Sequence, residues 1–134
     1  MIRIYTDGSC IDTRYGGWGV VMLEKDNIWT LSDSCDNTTN NRMELTAVIE
    51  SLNLIDNNNA IELFTDSQLT MNCATGKWKR KTNLDLWSQF DIAIKDKHVI
   101  WNWVKAHNGN KYNEMVDKLA YQEALEIKKL NNKK

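Results

Sequence analysis

Two hydrophobic periods alternate along the chain, and their succession predicts its elements. Ile2-Arg3-Ile4-Tyr5-Thr6 alternates apolar and polar positions and runs into Asp7-Gly8-Ser9, so a strand ending in a turn is expected. Gly16-Gly17 opens a second strand from Trp18 to Leu23, and Lys25-Asp26-Asn27 turns the chain into a hairpin partner from Ile28 to Leu31. The period then changes. Leu45, Val48, Ile49, Leu52 and Ile55 form one helical stripe between the capping run Thr38-Thr39-Asn40-Asn41 and the polar stop Asp56-Asn57-Asn58-Asn59. Ala60 to Thr65 reads as a fourth strand, and Asp66-Ser67 caps a short helix to about Cys73. A basic loop from Gly76 to Asn83 leads to a helix marked by Leu86, Trp87, Phe90, Ala93 and Ile94. Val99 to Val104 is a fifth strand, Gly109 a break, and Val116, Leu119, Ala120, Ala124 and Ile127 a last helical stripe. The order β-β-β-α-β-α-α-β-α predicts an α/β fold, a mixed sheet with helices on its faces. One domain over residues 1–127 is expected, followed by a Lys-rich C-terminal tail, 128–134, expected to be disordered.

Composition narrows the class. With 134 residues, 42% hydrophobic and 26% charged, the chain has the makeup of one globular domain and not of a disordered protein. The longest apolar run, Trp18 to Leu23, is far too short to cross a bilayer, so no membrane partner is expected. Arg3, Asp7 and Asp12 interrupt the start too early for a signal peptide. Cys10, Cys35 and Cys73 are odd in number and scattered, which fits a reduced, cytoplasmic protein.

A net charge of −1 argues against nucleic acid as a partner, but its distribution does not. Residues 1–70 hold 4 basic and 11 acidic side chains, whereas residues 71–134 hold 13 basic and 7 acidic. The basic stretch Lys77-Trp78-Lys79-Arg80-Lys81 sets an aromatic among cations, a pattern suited to phosphate contact and stacking, or else to a solvated loop. Trp87, Trp101 and Trp103 fall on element stripes and are expected in the core.

Ligand sites in such sheets lie beyond the carboxyl ends of the parallel strands. Asp7 and Asp66 each end a predicted strand, Glu44 opens the first helix, and Asp117 lies near the start of the last. Four converging carboxylates would repel one another, and a bound cation is the usual remedy. An all-oxygen set favours Mg²⁺ or Mn²⁺ over zinc, and a two-ion site suits phosphodiester cleavage. Each acid also has a plainer reading. Asp7-Gly8 is a common turn, Glu44 stands three after Asn41 as in a capping box, Asp66 is an N-cap type, and Asp117 suits a helix dipole.

Six strings bear on that choice. Tyr5-Thr6-Asp7-Gly8-Ser9-Cys10, Gly16-Gly17-Trp18-Gly19, Thr38 to Leu45, Thr65-Asp66-Ser67-Gln68, Trp103 to Gly109, and Asn113 to Asp117 with Leu119-Ala120 resemble the type 1 ribonuclease H family in its own order. The resemblance spans Ile2 to about Ala124 and implies the ribonuclease H-like fold, a five-stranded sheet in the order 3-2-1-4-5 with helices on both faces. It implies cleavage of the RNA strand of RNA–DNA hybrids, leaving 5′-phosphate and 3′-hydroxyl ends. Asp7 would bridge two Mg²⁺ ions, with Mn²⁺ a substitute; Glu44 and Asp66 would hold one ion and Asp117 would complete the other. His107 matches a histidine that assists proton transfer or product release. Asn40, Asn41 and Gln68 match minor-groove contacts, Gly8, Ser9 and Cys10 lie along the RNA strand, and Thr39 and Asn83 match residues that hold a DNA phosphate. Trp78 is added as a substrate contact from the basic stretch. No obligate protein partner is expected, and the chain is expected to act as a monomer.

The departures are local. Only residues 69–84 separate Gln68 from Asp85-Leu86-Trp87, so the basic handle of many relatives is shortened. Asn37 replaces a frequent Arg, Ala106 a common Gly and Asn110 a common His, while Asp12-Thr13-Arg14-Tyr15 replaces a usual turn. Two other readings compete: a binding module for hybrid or duplex that does not cut, and a metal-dependent nuclease for another polynucleotide.

Overall fold

The computed structural model describes residues 1–56, 59–106 and 108–132. Its elements follow the expected order: β1 (Ile2–Ile11), β2 (Tyr15–Glu24), β3 (Asn27–Cys35), α1 (Asn40–Asn53), β4 (Ala60–Thr65), α2 (Gln68–Ala74), α3 (Leu84–Ile94), β5 (His98–Trp103) and α4 (Lys111–Asn132). The sheet runs β3-β2-β1-β4-β5. β1 to β3 form an antiparallel meander, while β4 pairs parallel with both β1 and β5.

Four boundaries differ from those the sequence pattern predicts. β1 does not end at Asp7-Gly8-Ser9 but continues to Ile11, because its antiparallel pairing with β2 holds it extended from Arg3 through Ile11. The reversal comes later, at Asp12 and Thr13, both at positive φ, and closes with Arg14 N–H donating to the Ile11 carbonyl. β3 likewise extends to Cys35 beside β2. α4 begins at Lys111, earlier than its apolar stripe, because the Asn110 side chain accepts from the backbone N–H of Tyr112 and Asn113. It also runs past 127 to Asn132, so residues 128–132 are helical, and Lys128 pairs with Asp12 at 2.9 Å.

Each face of the sheet has its own core. On one, Ile4, Val20, Ile61 and Leu63 meet Leu45, Val48 and Leu52 of α1 and Phe90 of α3. Burying side chains of this size contributes about 1.5–3 kcal/mol each. On the other, Tyr5 and Val21 meet Val116 of α4. There Tyr5 stacks on Phe64 at 4.4 Å and touches Tyr112 at 5.5 Å, joining β1, β4 and α4 through three rings.

Close backbone approach sets α4 on β2. A side chain on Gly17 would overlap the Ala120 carbonyl and the Ala124 N–H of that helix. Gly17→Ala is therefore expected to lower stability by about 1–3 kcal/mol, read as a drop in thermal midpoint. An unchanged midpoint would show that α4 does not need this contact.

Candidate active site

The parallel register of β1 and β4 pairs Ile2 with Ile61 and Tyr5 with Phe64. Continued two residues further, it sets Asp7 abreast of Asp66. Because β4 stops at Thr65 while β1 runs on to Ile11, the two acids stand where the sheet opens. Glu44 arrives from α1. Gly8 lets that helix lie against the strand, since a Cβ there would overlap the backbone of Met43 and Glu44. Asp7, Glu44 and Asp66 each offer a carboxylate oxygen within 4.8 Å of the others. Asp117, one face of α4, also approaches Asp7 closely enough to disfavour its ionisation, although it lies outside that group of three.

Local geometry disagrees with the turn and cap readings of Asp7, Glu44 and Asp66, and weakens the dipole reading of Asp117. Asp7 and Gly8 lie within a strand rather than a turn. Thr39 is the N-cap of α1, its side chain accepting from Arg42 N–H, so Glu44 lies beyond the capping-box position. The N-cap of α2 is Ser67, which accepts from Thr70 N–H, and not Asp66. Asp117 falls in the second turn of α4, where the helix dipole has faded.

The cluster is electrostatically strained. Asp7 is 2% exposed and Glu44 5% exposed, although both are acids. Burial, followed by the charge of Asp66, pushes the Asp7 carboxyl up to about 8, while Gly8 N–H donates to its Oδ1 at 2.9 Å. Burial and then the charges of Asp7 and Asp66 hold the Glu44 carboxyl well above its ordinary value. Glu44 Oε2 is buried and, among the described residues, has no hydrogen-bond donor facing it. An orphaned acceptor among crowded carboxylates fits a hard divalent cation, and Asp7, Glu44 and Asp66 would hold it through oxygen alone.

Beside the acids lies a groove of about 470 Å³ lined by Asn41, Lys77, Trp78, Lys79, Lys81 and Asn83, among others. Asn41, three residues before Glu44 on α1, links groove to cluster. Asn40 and Thr39 are exposed beside it, Gln68 is exposed at the start of α2, and Ser9 and Cys10 are half-buried on β1. Cys10 Sγ donates to the Thr38 carbonyl at 3.6 Å, tying the strand to the start of α1. Arg42 forks onto Asp85 at 3.0 and 2.8 Å and also donates to Asn83 Oδ1 at 3.2 Å. That joins the starts of α1 and α3, and the guanidinium pulls the Asp85 carboxyl down to about 2.

The basic stretch divides in its contacts. Arg80 donates to the Cys73 carbonyl and to Asp91, and its guanidinium lies 4.3 Å from the Trp87 ring centroid. It braces the loop and faces the core, whereas Lys77, Lys79 and Lys81 are exposed. Trp78 is 43% exposed. Trp87 is buried and Trp101 packs against the core, but Trp103 is 45% exposed. Its indole N–H donates to the Asp66 carbonyl at 3.1 Å, a contact that no sequence period signals. His107 lies outside the described residues.

A strained acidic cluster at the open end of a mixed sheet, with helices on both faces, defines a metal-dependent hydrolase. The chain belongs to the type 1 ribonuclease H family, and the RNase H family model matches residues 1–125. It is 44% identical over 137 residues to the ribonuclease H of Mannheimia succiniciproducens, with 92% of this chain and 87% of that one covered. To the ribonuclease H of Campylobacter jejuni it is 41% identical over 143 residues, covering 99% and 97%. Among solved structures, LC9-RNase H1, described as a type 1 RNase H with the type 2 active-site motif, superposes with a TM-score of 0.78 at 29% identity, covering 92% and 71%. LC11-RNase H1, solved in complex with RNA/DNA hybrid, shares the fold at a TM-score of 0.81 and 20% identity, covering 95% and 99%.

The raised carboxyls give a signed expectation for the metal-free protein. A carboxyl harder to ionise when folded stabilises below its unfolded value and loses that stability as pH rises through its folded one. Asp7→Asn should therefore melt increasingly above the wild type as pH goes from about 4 to about 8 in chelator. A gap that stays constant with pH would remove the strain assigned to Asp7.

Proposed function

We propose that this protein is a ribonuclease H that hydrolyses the RNA strand of RNA–DNA hybrids at internal positions. The observation carrying this reading is the trio of crowded carboxylates from β1, α1 and the end of β4, next to a basic, aromatic groove. Asp7, Glu44, Asp66 and Asp117 would hold two Mg²⁺ ions, for which Mn²⁺ could substitute. Bound there, the ions would supply Lewis-acid activation of water and charge stabilisation of the leaving oxygen.

The remaining work belongs to the chain itself. Hydrolysis breaks the P–O3′ bond, water's oxygen staying on phosphorus and a proton ending on the 3′ oxygen, which gives 5′-phosphate and 3′-hydroxyl ends. His107 is assigned the relay of that proton or release of the product, from its motif. The side-chain amides of Asn40, Asn41 and Gln68 offer donors and acceptors to base edges and 2′-hydroxyls, the groups that distinguish RNA. Gly8, Ser9 and Cys10 present a low surface to the RNA strand. Thr39 and Asn83 are assigned a DNA phosphate, and Asn83 is already oriented by Arg42. Trp78 offers a stacking face flanked by cations. Cys10, Cys35 and Cys73 are free thiols, the state that a reducing compartment maintains, and we place the protein in the cytoplasm.

Labelled hybrid, duplex RNA, duplex DNA and single-stranded RNA, each with Mg²⁺, Mn²⁺ or chelator, test the assignment. Only hybrid should be cut, chelator should stop cutting, and Asp7→Asn should abolish it without loss of fold. Equal cleavage of single-stranded RNA would overturn the substrate class. Replacing Lys77, Lys79 and Lys81 together by Ala should weaken hybrid binding and flatten its log–log salt slope by about 2–3, from roughly 0.9 per phosphate contact. An unchanged slope would return those lysines to the solvated surface.

A further inference from the structure

Beyond Thr65 the chain leaves the β4 ladder, yet the peptide bearing Asp66 is held on both sides. Val104 N–H donates to the Thr65 carbonyl at 2.9 Å, and Trp103 Nε1–H donates to the Asp66 carbonyl at 3.1 Å. Ser67 N–H adds a bond to Thr65 Oγ1 at 3.1 Å. Trp103 lies opposite Thr65 in the register, on the same face as Trp101. The two rings differ in purpose. Trp101 packs against the core, while Trp103, 45% exposed on an edge strand, is not part of it.

A clamp at this point has a physical reason. Three carboxylates share a space of 4.8 Å, and repulsion among them favours displacement of the least buried towards water. Asp7 and Glu44 are buried, whereas Asp66 is only half-buried at the end of a strand. A small rotation of its peptide would carry the carboxylate towards water. We propose that Trp103 is a positioning residue for Asp66: its indole N–H fixes the Asp66 peptide, holds the carboxylate in the cluster and thereby sets the affinity for divalent cation. This rests on the reading of the cluster as the cation site.

Trp103→Phe keeps a ring and removes the donor, and Trp101→Phe is the packing control. Calorimetric Mg²⁺ titration without nucleic acid should show about tenfold weaker binding in Trp103→Phe, the lower end of what loss of a ligand-orienting partner costs. Hybrid cleavage should then need correspondingly more Mg²⁺ and regain the wild-type kcat at saturating metal, with KM for hybrid unchanged. Trp101→Phe should lower the thermal midpoint and leave Mg²⁺ affinity alone. In the wild-type protein, the assigned Trp103 indole N–H resonance should exchange slowly with solvent and shift when Mg²⁺ is added. Unaltered Mg²⁺ affinity in Trp103→Phe, a loss of activity that metal does not rescue, or an indole resonance indifferent to Mg²⁺ would each overturn the role of Trp103. A wild-type protein that bound neither Mg²⁺ nor Mn²⁺ would sink the cation site itself, and Trp103's role with it.

Discussion

Repulsion among carboxylates brought together at low solvent exposure is the constraint around which this molecule is arranged. Asp7 and Glu44 are among its most buried polar groups, and Asp66 joins them within 4.8 Å. Left to themselves, such groups would take up protons or move apart. Neither backbone carrying the buried pair is free to move. Asp7 is inside a strand paired on its antiparallel side as far as Ile11, and Glu44 is on a helix seated directly over Gly8. The energy for holding them comes from the two cores, which are apolar and lie on opposite faces of the sheet.

Those cores also decide which elements meet. Tyr5, Phe64 and Tyr112 pack together, and each precedes one of the acids on its own element: Asp7 on β1, Asp66 after β4 and Asp117 on α4. The ring contacts fix the relative positions of three chain segments, and the carboxylates inherit that alignment. On the opposite face, Arg42 plays a comparable part by joining α1 to α3, which places Asn41 and Asn83 on one groove. The acidic cluster and the basic groove are thus linked, because helix α1 carries both Glu44 and Asn41.

Much of this was legible in the residue pattern. The strands, helices and their order follow from hydrophobic period, whereas the strand order that sets Asp7 beside Asp66 was implied only by the family resemblance. The length of β1 was not legible. Asp7-Gly8-Ser9 has turn chemistry, and only the neighbouring β2 keeps it extended. The C-terminal end of α4 was hidden for a related reason, since residues 128–132 carry no apolar stripe and the Lys128–Asp12 pair is distant in sequence. Arg80 and Trp103 show the same limit at single side chains. A cation in a basic run reads as a phosphate contact, and a tryptophan on a strand reads as core, until the tertiary partner is known.

Arg80 has a consequence for how the short connection between α2 and α3 meets a partner. Its guanidinium is stacked on Trp87 and bonded to Asp91, so the segment from 75 to 83 is anchored near its middle although it contains no helix or strand. A free loop of that length would lose conformational entropy when a stiff duplex settled on it, at about 1–2 kcal/mol for every residue ordered. Here much of that ordering is completed during folding. The exposed Lys77, Trp78, Lys79 and Lys81 are therefore presented from a surface whose shape is already set by the Arg80 anchor.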